Sequence, residues 1–230
     1  MNNETSNYKS LNGPEFYPQN GEHPSRVVII LHGVGADGEN MMGVVPHLAE
    51  EMPDCYFICP NGPEKYSDGS QSVNGSYGYQ WFSLWDRSYD QLKLGVENAS
   101  DILNAFIDEV RDKFGLEYKD IVLAGFSQGC MTALHTALRM DEEKEIAGMI
   151  GFSGGMIANQ LEENEITSRM PVCLIHGAED DIVPFDRSLY AEEVLSGLGI
   201  EIRANIIPNL PHSIDYNGIK IAKNFLKSIF

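Results

Sequence analysis

Short apolar segments alternate along this chain with longer stretches of helical spacing. That pattern predicts βαβ units building a mainly parallel central sheet with helices on both faces, an α/β fold. Arg26 to Leu31 (RVVIIL) reads as a buried strand whose β-branched run ends at Gly33, and Cys55 to Cys59 (CYFIC) as another, closed by Pro60. Asp120 to Gly125, Ile146 to Phe152, Val172 to His176 and Ile202 to Ile207 are further strand candidates. Between them, Ala99, Ile102, Leu103, Phe106, Ile107, Val110 and Phe114 step by three and four, drawing one apolar stripe on a helix that Gly115 stops. Met131, Leu134, His135 and Leu138 predict a second helix directly after Gly125, and Ala191, Val194, Leu195 and Leu198 a third that ends near Gly199. A last short helix spans about Ile219 to Ile229.

A length of 230 residues suits one domain, residues 1–230, with Met1 to Asn20 as a polar N-terminal extension. No period of 20 to 50 residues repeats, and the one long loop-like stretch, Asn61 to Ser88, holds both tryptophans. Composition narrows the function classes. Apolar residues make up 43% of the chain, but no apolar run approaches the roughly 20 residues of a membrane span, so no stable membrane insertion is expected. The N-terminus has neither the basic start nor the apolar stretch of a secretory signal. Four cysteines show no metal-type pairing, and Cys55 and Cys59 would lie about 13 Å apart on one strand, which favours reduced thiols and a cytoplasmic location. A formal charge of −18 without a basic cluster argues against a nucleic-acid partner. The densest acidic run, Asp141, Glu142, Glu143 and Glu145, reads as a solvated loop.

Within this frame Gly125-Phe126-Ser127-Gln128-Gly129 matches GxSxG, the nucleophile elbow of α/β-hydrolases, whose small flanking residues permit a sharp turn that lifts a serine hydroxyl above the sheet. The chain contains a second copy, Gly151-Phe152-Ser153-Gly154-Gly155. Context separates them: an elbow joins a strand directly to a helix whose free N–H groups face a developing oxyanion, and only Ser127 has that helix. Ser153 is read as the end of the next strand, lining the floor of the site.

A serine hydroxyl at neutral pH needs a histidine to take its proton, and the histidine needs a carboxylate to fix its tautomer. Residues 176–184 (HGAEDDIVP) leave a strand and offer three carboxylates, Glu179, Asp180 and Asp181, which composition does not rank. His212 alone of six histidines follows both that loop and the strand Ile202 to Ile207, and Pro208 and Pro211 stiffen its loop. His135 falls on an apolar stripe, His23 precedes the fold, His47 sits on a surface helix, and His32 and His176 have structural places at strand ends. A metal held by His176, Asp180 and His212 is the competing reading; it would leave the elbow idle, and no HExxH or Cys-rich pattern supports it, so neither metal nor cofactor is expected.

Taken in order, Leu31-His32-Gly33-Val34-Gly35-Ala36-Asp37-Gly38, the Ser127 elbow, HGxxDxxVP at His176 to Pro184, and His212 resemble the carboxylesterase/phospholipase family of α/β-hydrolases, which includes the acyl-protein thioesterases. The resemblance runs from about Val27 to Phe225. It implies Asp180 as the catalytic acid, a Ser127-His212-Asp180 triad, and an oxyanion hole from the backbone N–H groups of Val34 and Gln128. Residues 78–83 (GYQWFS) resemble GxQWFS of bacterial members, where aromatics border the acyl pocket; Trp81 and Phe82 are then substrate-binding, against the alternative that they anchor a long loop in the core. The stretch Glu64 to Ser76 is longer and more polar than in the short thioesterases. The function implied is a serine carboxylesterase acting through an acyl-enzyme on a small ester, a lysophospholipid or an acyl thioester. The alternatives are an acyl-protein thioesterase or lysophospholipase, and, outside enzymes, a catalytically silent binding module. Apolar positions near the aromatic loop also leave room for a homodimer.

Overall fold

In the computed structural model, residues 8–66, 78–157 and 165–230 are described. Seven strands form the central sheet: β1 (Glu15–Phe16), β2 (Arg26–Leu31), β3 (Cys55–Ile58), β6 (Ile121–Phe126), β7 (Gly148–Phe152), β8 (Val172–Gly177) and β9 (Ile202–Ile207), in the spatial order β1-β3-β2-β6-β7-β8-β9. All neighbours run parallel except β1, which pairs antiparallel with β3. A separate pair, β4 (Glu64–Lys65) and β5 (Tyr79–Gln80), lies within the stretch read as a loop. Among the described residues six α-helices accompany them: α1 (Gly38–Met42), α2 (Val45–Ala49), α3 (Tyr89–Phe114), α4 (Gln128–Leu138), α5 (Asp186–Gly197) and α6 (Tyr216–Ile229).

Strand β2 shows why its run is apolar throughout. Val27, Ile29 and Leu31 face one cluster with α3, α4 and α5, whereas Val28 and Ile30 face another with α1, α2 and α6. Successive side chains of a strand point to opposite faces, so a strand covered by helices on both sides has no polar position left. The result is a three-layer sandwich.

The path of the chain fixes where a site belongs. From β2 the chain turns outward to β3; α3 then carries it across to β6 on the other side of β2, and β7, β8 and β9 follow outward. The strand order therefore reverses between β2 and β6, and in parallel sheets the crevice beyond the carboxyl ends at such a point is where ligands bind.

Several bounds differ from the sequence reading. Helix α3 begins at Tyr89, ten residues before the apolar stripe, because its first turns are half exposed and carry few core contacts besides Val96. Helix α5 begins at Asp186, five residues before the apolar stripe that starts at Ala191. Part of the polar N-terminal stretch is woven into the fold: β1 extends the sheet and Leu11 is buried. Most of the long polar stretch 64–76 lies outside the described residues.

Candidate active site

Ser127 stands between β6 and α4 with φ 53° and ψ −117°, a backbone conformation that L residues rarely adopt. Close packing imposes it. A Cβ at Gly129 would strike the carbonyl oxygens of Leu31 and His32, so only glycine lets α4 start this near β2. The elbow backbone is tied on both sides, since Ser127 N–H donates to Phe152 O (2.9 Å) and Met131 N–H to Ser127 O (3.1 Å).

The loop after β2 lies against this elbow. A Cβ at Gly33 would come within 3.4 Å of the Ser127 Cβ. Val34 is the second residue of a turn closed by Ala36 N–H to Gly33 O (3.2 Å), and Gln128 is the first residue of α4, where an N–H has no intrahelical partner. The turn that carries Val34 and the first residue of α4 thus both lie beside Ser127.

A polar network holds that corner. Gly62 N–H donates to His32 Nε2 (2.8 Å), so the ring proton is on Nδ1, which donates to Gly33 O (2.7 Å). Burial, partly offset by that carbonyl, holds the His32 imidazole below its ordinary pKa and keeps it neutral. The Trp81 indole N–H donates to His32 O (2.9 Å), Trp81 N–H donates to Gln128 Oε1 (3.0 Å), and Gln128 Nε2 donates to Phe82 O (2.7 Å). Trp81 and Phe82 are buried in the core cluster under α3 and α4, the setting of core anchors for this stretch.

The acid and the base come from the next two strand ends. Beyond β8 and β9 the loops bind each other, Ala178 N–H to Ile207 O (2.9 Å) and Glu179 N–H to Leu210 O (3.0 Å). Asn209 takes φ 57° between the two prolines. Asp180 is buried while Glu179 and Asp181 are exposed, which separates the three carboxylates that composition left equal. Its Oδ1 accepts from the N–H groups of Ile182 (3.0 Å) and Val183 (2.8 Å), and its Oδ2 accepts from His212 Nδ1–H at 2.7 Å. Burial raises the Asp180 pKa, but the Val183 N–H, His212 and the Ile182 N–H outweigh it, and the carboxyl is held below its usual range. With Nδ1 protonated, His212 Nε2 is an acceptor. The imidazole packs on the ring of Phe126, the residue before Ser127, with centroids 4.8 Å apart.

The second serine has a different setting. Ser153 follows β7 directly, donates its N–H to Ile175 O (2.9 Å), and has φ 49°. It is 1% exposed, its Oγ has no partner among the described residues, and no helix follows it there. His47 and His23 are exposed, and burial lowers the pKa of His135, on α4, to about 3. His176 and His212 both direct a ring nitrogen at Asp180 Oδ2, an arrangement of donors around a carboxylate rather than of ligands around a shared ion. The two supporting networks, through His32 and through His176, were not legible as site features; the histidine-glycine pair closing each strand was their one signal.

A family model described as phospholipase/carboxylesterase matches residues 15–230. The chain belongs to this family. Among curated members, it is 27% identical over 215 residues to acyl-protein thioesterase 1 of Gibberella zeae, covering 87% of this chain and 88% of that protein. It is likewise 27% identical to esterase YpfH of Escherichia coli, over 92% of this chain and 87% of that one. Among solved structures, esterase PE8 superposes with a TM-score of 0.85 at 35% identity, over 96% of this chain and 99% of that chain. Phospholipase/carboxylesterase members share the α/β-hydrolase fold found here, and hydrolysis of ester bonds is the activity class of this one.

Proposed function

We propose that this ester hydrolase acts through Ser127 as nucleophile, His212 as general base and Asp180 as the group that orients the base. The observation that carries the reading is the 2.7 Å Asp180–His212 bond, made by loops beyond β8 and β9 and resting on the elbow through Phe126. Ser127 Oγ would attack the acyl carbonyl carbon as its proton passes to His212 Nε2, and the oxyanion would take the N–H groups of Val34 and Gln128. His212 then returns the proton to the departing alcohol or thiol. Water, deprotonated by the same imidazole, frees the acid and restores Ser127.

Trp81 and Phe82 contribute to substrate binding in this proposal by backing the oxyanion corner. A narrow surface cleft between α3 and α4, with about 30 Å³ of room, has apolar walls at Val96, Met131, Leu134, Leu138 and Met156 beside the polar groups of Lys93, His135 and Arg139, and Met131 lies one turn from Ser127. It is the proposed seat of a short acyl group, as in a small ester, and the longer tail of a lysophospholipid or acyl thioester would run along its open side. Among the described residues no helix is long and apolar enough to cross a membrane. Four buried, unpaired cysteines support a cytoplasmic enzyme, and exposed Trp85 and Leu94 offer a surface for a homodimer.

A fluorophosphonate probe with peptide mapping tests the assignment. Labelling at Ser127, lost in Ser127→Ala together with p-nitrophenyl ester turnover, is expected. Labelling at Ser153, or turnover near the parent's in Ser127→Ala, overturns it.

A further inference from the structure

The Asp180 carboxylate has a second histidine on it. His176 is the next-to-last residue of β8 with its side chain fully buried, and its Nε2 lies 3.1 Å from Asp180 Oδ2 and 2.8 Å from Val183 O. Both neighbours are acceptors, so Nε2 carries a proton. His212 carries its proton on Nδ1, the atom facing the same Oδ2. On the far side of the ring, His176 Nδ1 lies 2.7 Å from Ser188 Oγ, which in turn lies 2.7 Å from Gly154 O.

We propose that His176 is a positioning residue for the reaction: its Nε2–H, bonded to Val183 O and 3.1 Å from Asp180 Oδ2, braces the acid loop and fixes the carboxylate toward His212. This rests on Asp180 being the catalytic acid. The count of donors gives the reason. Two amides donate to Oδ1 and His212 donates to Oδ2, while His176 Nε2–H, bonded to Val183 O, lies 3.1 Å from the same Oδ2 and turns its positive end toward it. A carboxylate held by three donors and faced by a fourth N–H has one orientation. With the three alone it can roll about its last bond, and the His212 bond lengthens as it does. Ser188 on α5 sets the plane of the His176 ring, so the carboxylate is braced from the helix layer as well as from its own loop. Outer partners of this kind are worth about 10–100-fold when removed.

Two-bond proton–nitrogen NMR correlations on the parent protein read the tautomers without any substitution. His176 is expected protonated at Nε2 and His212 at Nδ1; an Nδ1-protonated, Nε2-bare His176 overturns the proposal. His176→Leu is expected to lower kcat about 10–100-fold with KM within about twofold, and to move or broaden the low-field proton of the His212–Asp180 bond. His176→Gln, whose amide N–H reaches the Nε2 position, is expected to recover most of that loss. Should His176→Leu fail to fold, the parent's tautomers and the Gln variant decide. Asp180→Asn, measured in parallel, keeps the two readings apart. If it retains turnover, the triad itself is wrong; if it loses turnover while His176→Leu keeps both kcat and the low-field signal, only the role of His176 falls.

Discussion

Replacing Asp180 by asparagine leaves the shape of the acid loop alone and reverses one hydrogen-bond polarity. The Ile182 and Val183 N–H groups need an acceptor at the Oδ1 position, so the amide oxygen stays there and the NH2 group takes the place of Oδ2. That NH2 faces two other donors, His212 Nδ1–H and His176 Nε2–H. His212, with 18% of its side chain exposed, escapes by presenting a bare Nδ1, which puts its proton on Nε2, the atom that must receive the Ser127 proton. The wrong tautomer costs about 10⁴ in kcat where this has been done in other triads, equivalent to about 5.4 kcal/mol of barrier.

Stability responds far less. His176 keeps Val183 O at 2.8 Å, so no donor is wholly orphaned and the loss is about 1–2 kcal/mol. The sign with pH follows from the depressed Asp180 pKa: its contribution is complete above the ordinary aspartate value of about 3.9 and is lost as pH falls through the lower folded value. Thermal scans should therefore show a constant gap between parent and variant from pH 8 to 5 that closes below about pH 4. Turnover of a p-nitrophenyl ester provides the other reading, with exposed Glu179→Gln and Asp181→Asn within about twofold of the parent as controls. A kcat for Asp180→Asn within tenfold of the parent's would refute the orienting role.

Three further outcomes are expected. Ser127→Gly removes the Cβ from a conformation with φ 53° and should raise Tm by about 2–4 °C while abolishing turnover, whereas Ser127→Ala keeps the strain; equal Tm values for the two would show that the elbow stores none. Gly129→Ala drives a methyl into the carbonyls of Leu31 and His32, and denaturant titration should find about 1–3 kcal/mol of lost stability together with lost turnover. Met131→Trp fills the cleft between α3 and α4 near the nucleophile, so a chain-length series of p-nitrophenyl esters should shift to shorter acyl groups; an unchanged optimum places the tail elsewhere.

The residues that carry two-sided burial were the readable ones. RVVIIL matches β2 at both ends, and the strand-turn-helix order around Ser127 is as its pattern predicts; Ile202 to Ile207 matches β9 although only Ile207 of it is buried. Elements without that signature escaped: β1 has two half-buried residues, β4 and β5 pair only with each other, and the first turns of α3 carry polar groups such as Lys93 and Glu97. Site chemistry divided in the same way. Ser127 and His212 follow from motif and chain order, whereas Asp180 was singled out only by the HGxxDxxVP resemblance; what sets it apart from Glu179 and Asp181 in the fold is burial, which neighbours in sequence do not encode. The reach of Trp81 to His32 across 49 positions, and of Ser188 to Gly154 across 34, belongs to tertiary packing alone.

That division explains how loops hold reacting groups in register. Each loop at the carboxyl edge is bonded to another element: the turn after β2 to Tyr79, the elbow to Phe152, the acid loop to Ile207 and Leu210. Their backbone polarity is satisfied by neighbours rather than by water, so each loop's place is set by the strand beside it. Moving Ser127 relative to His212 then requires breaking ladder-like bonds or pulling α4 off β2, not merely turning a side chain. A site assembled this way tolerates change at exposed positions such as Glu179 and Ile182 but not at Gly33 or Gly129, where the spacing between strand ends is itself the geometry of the reaction.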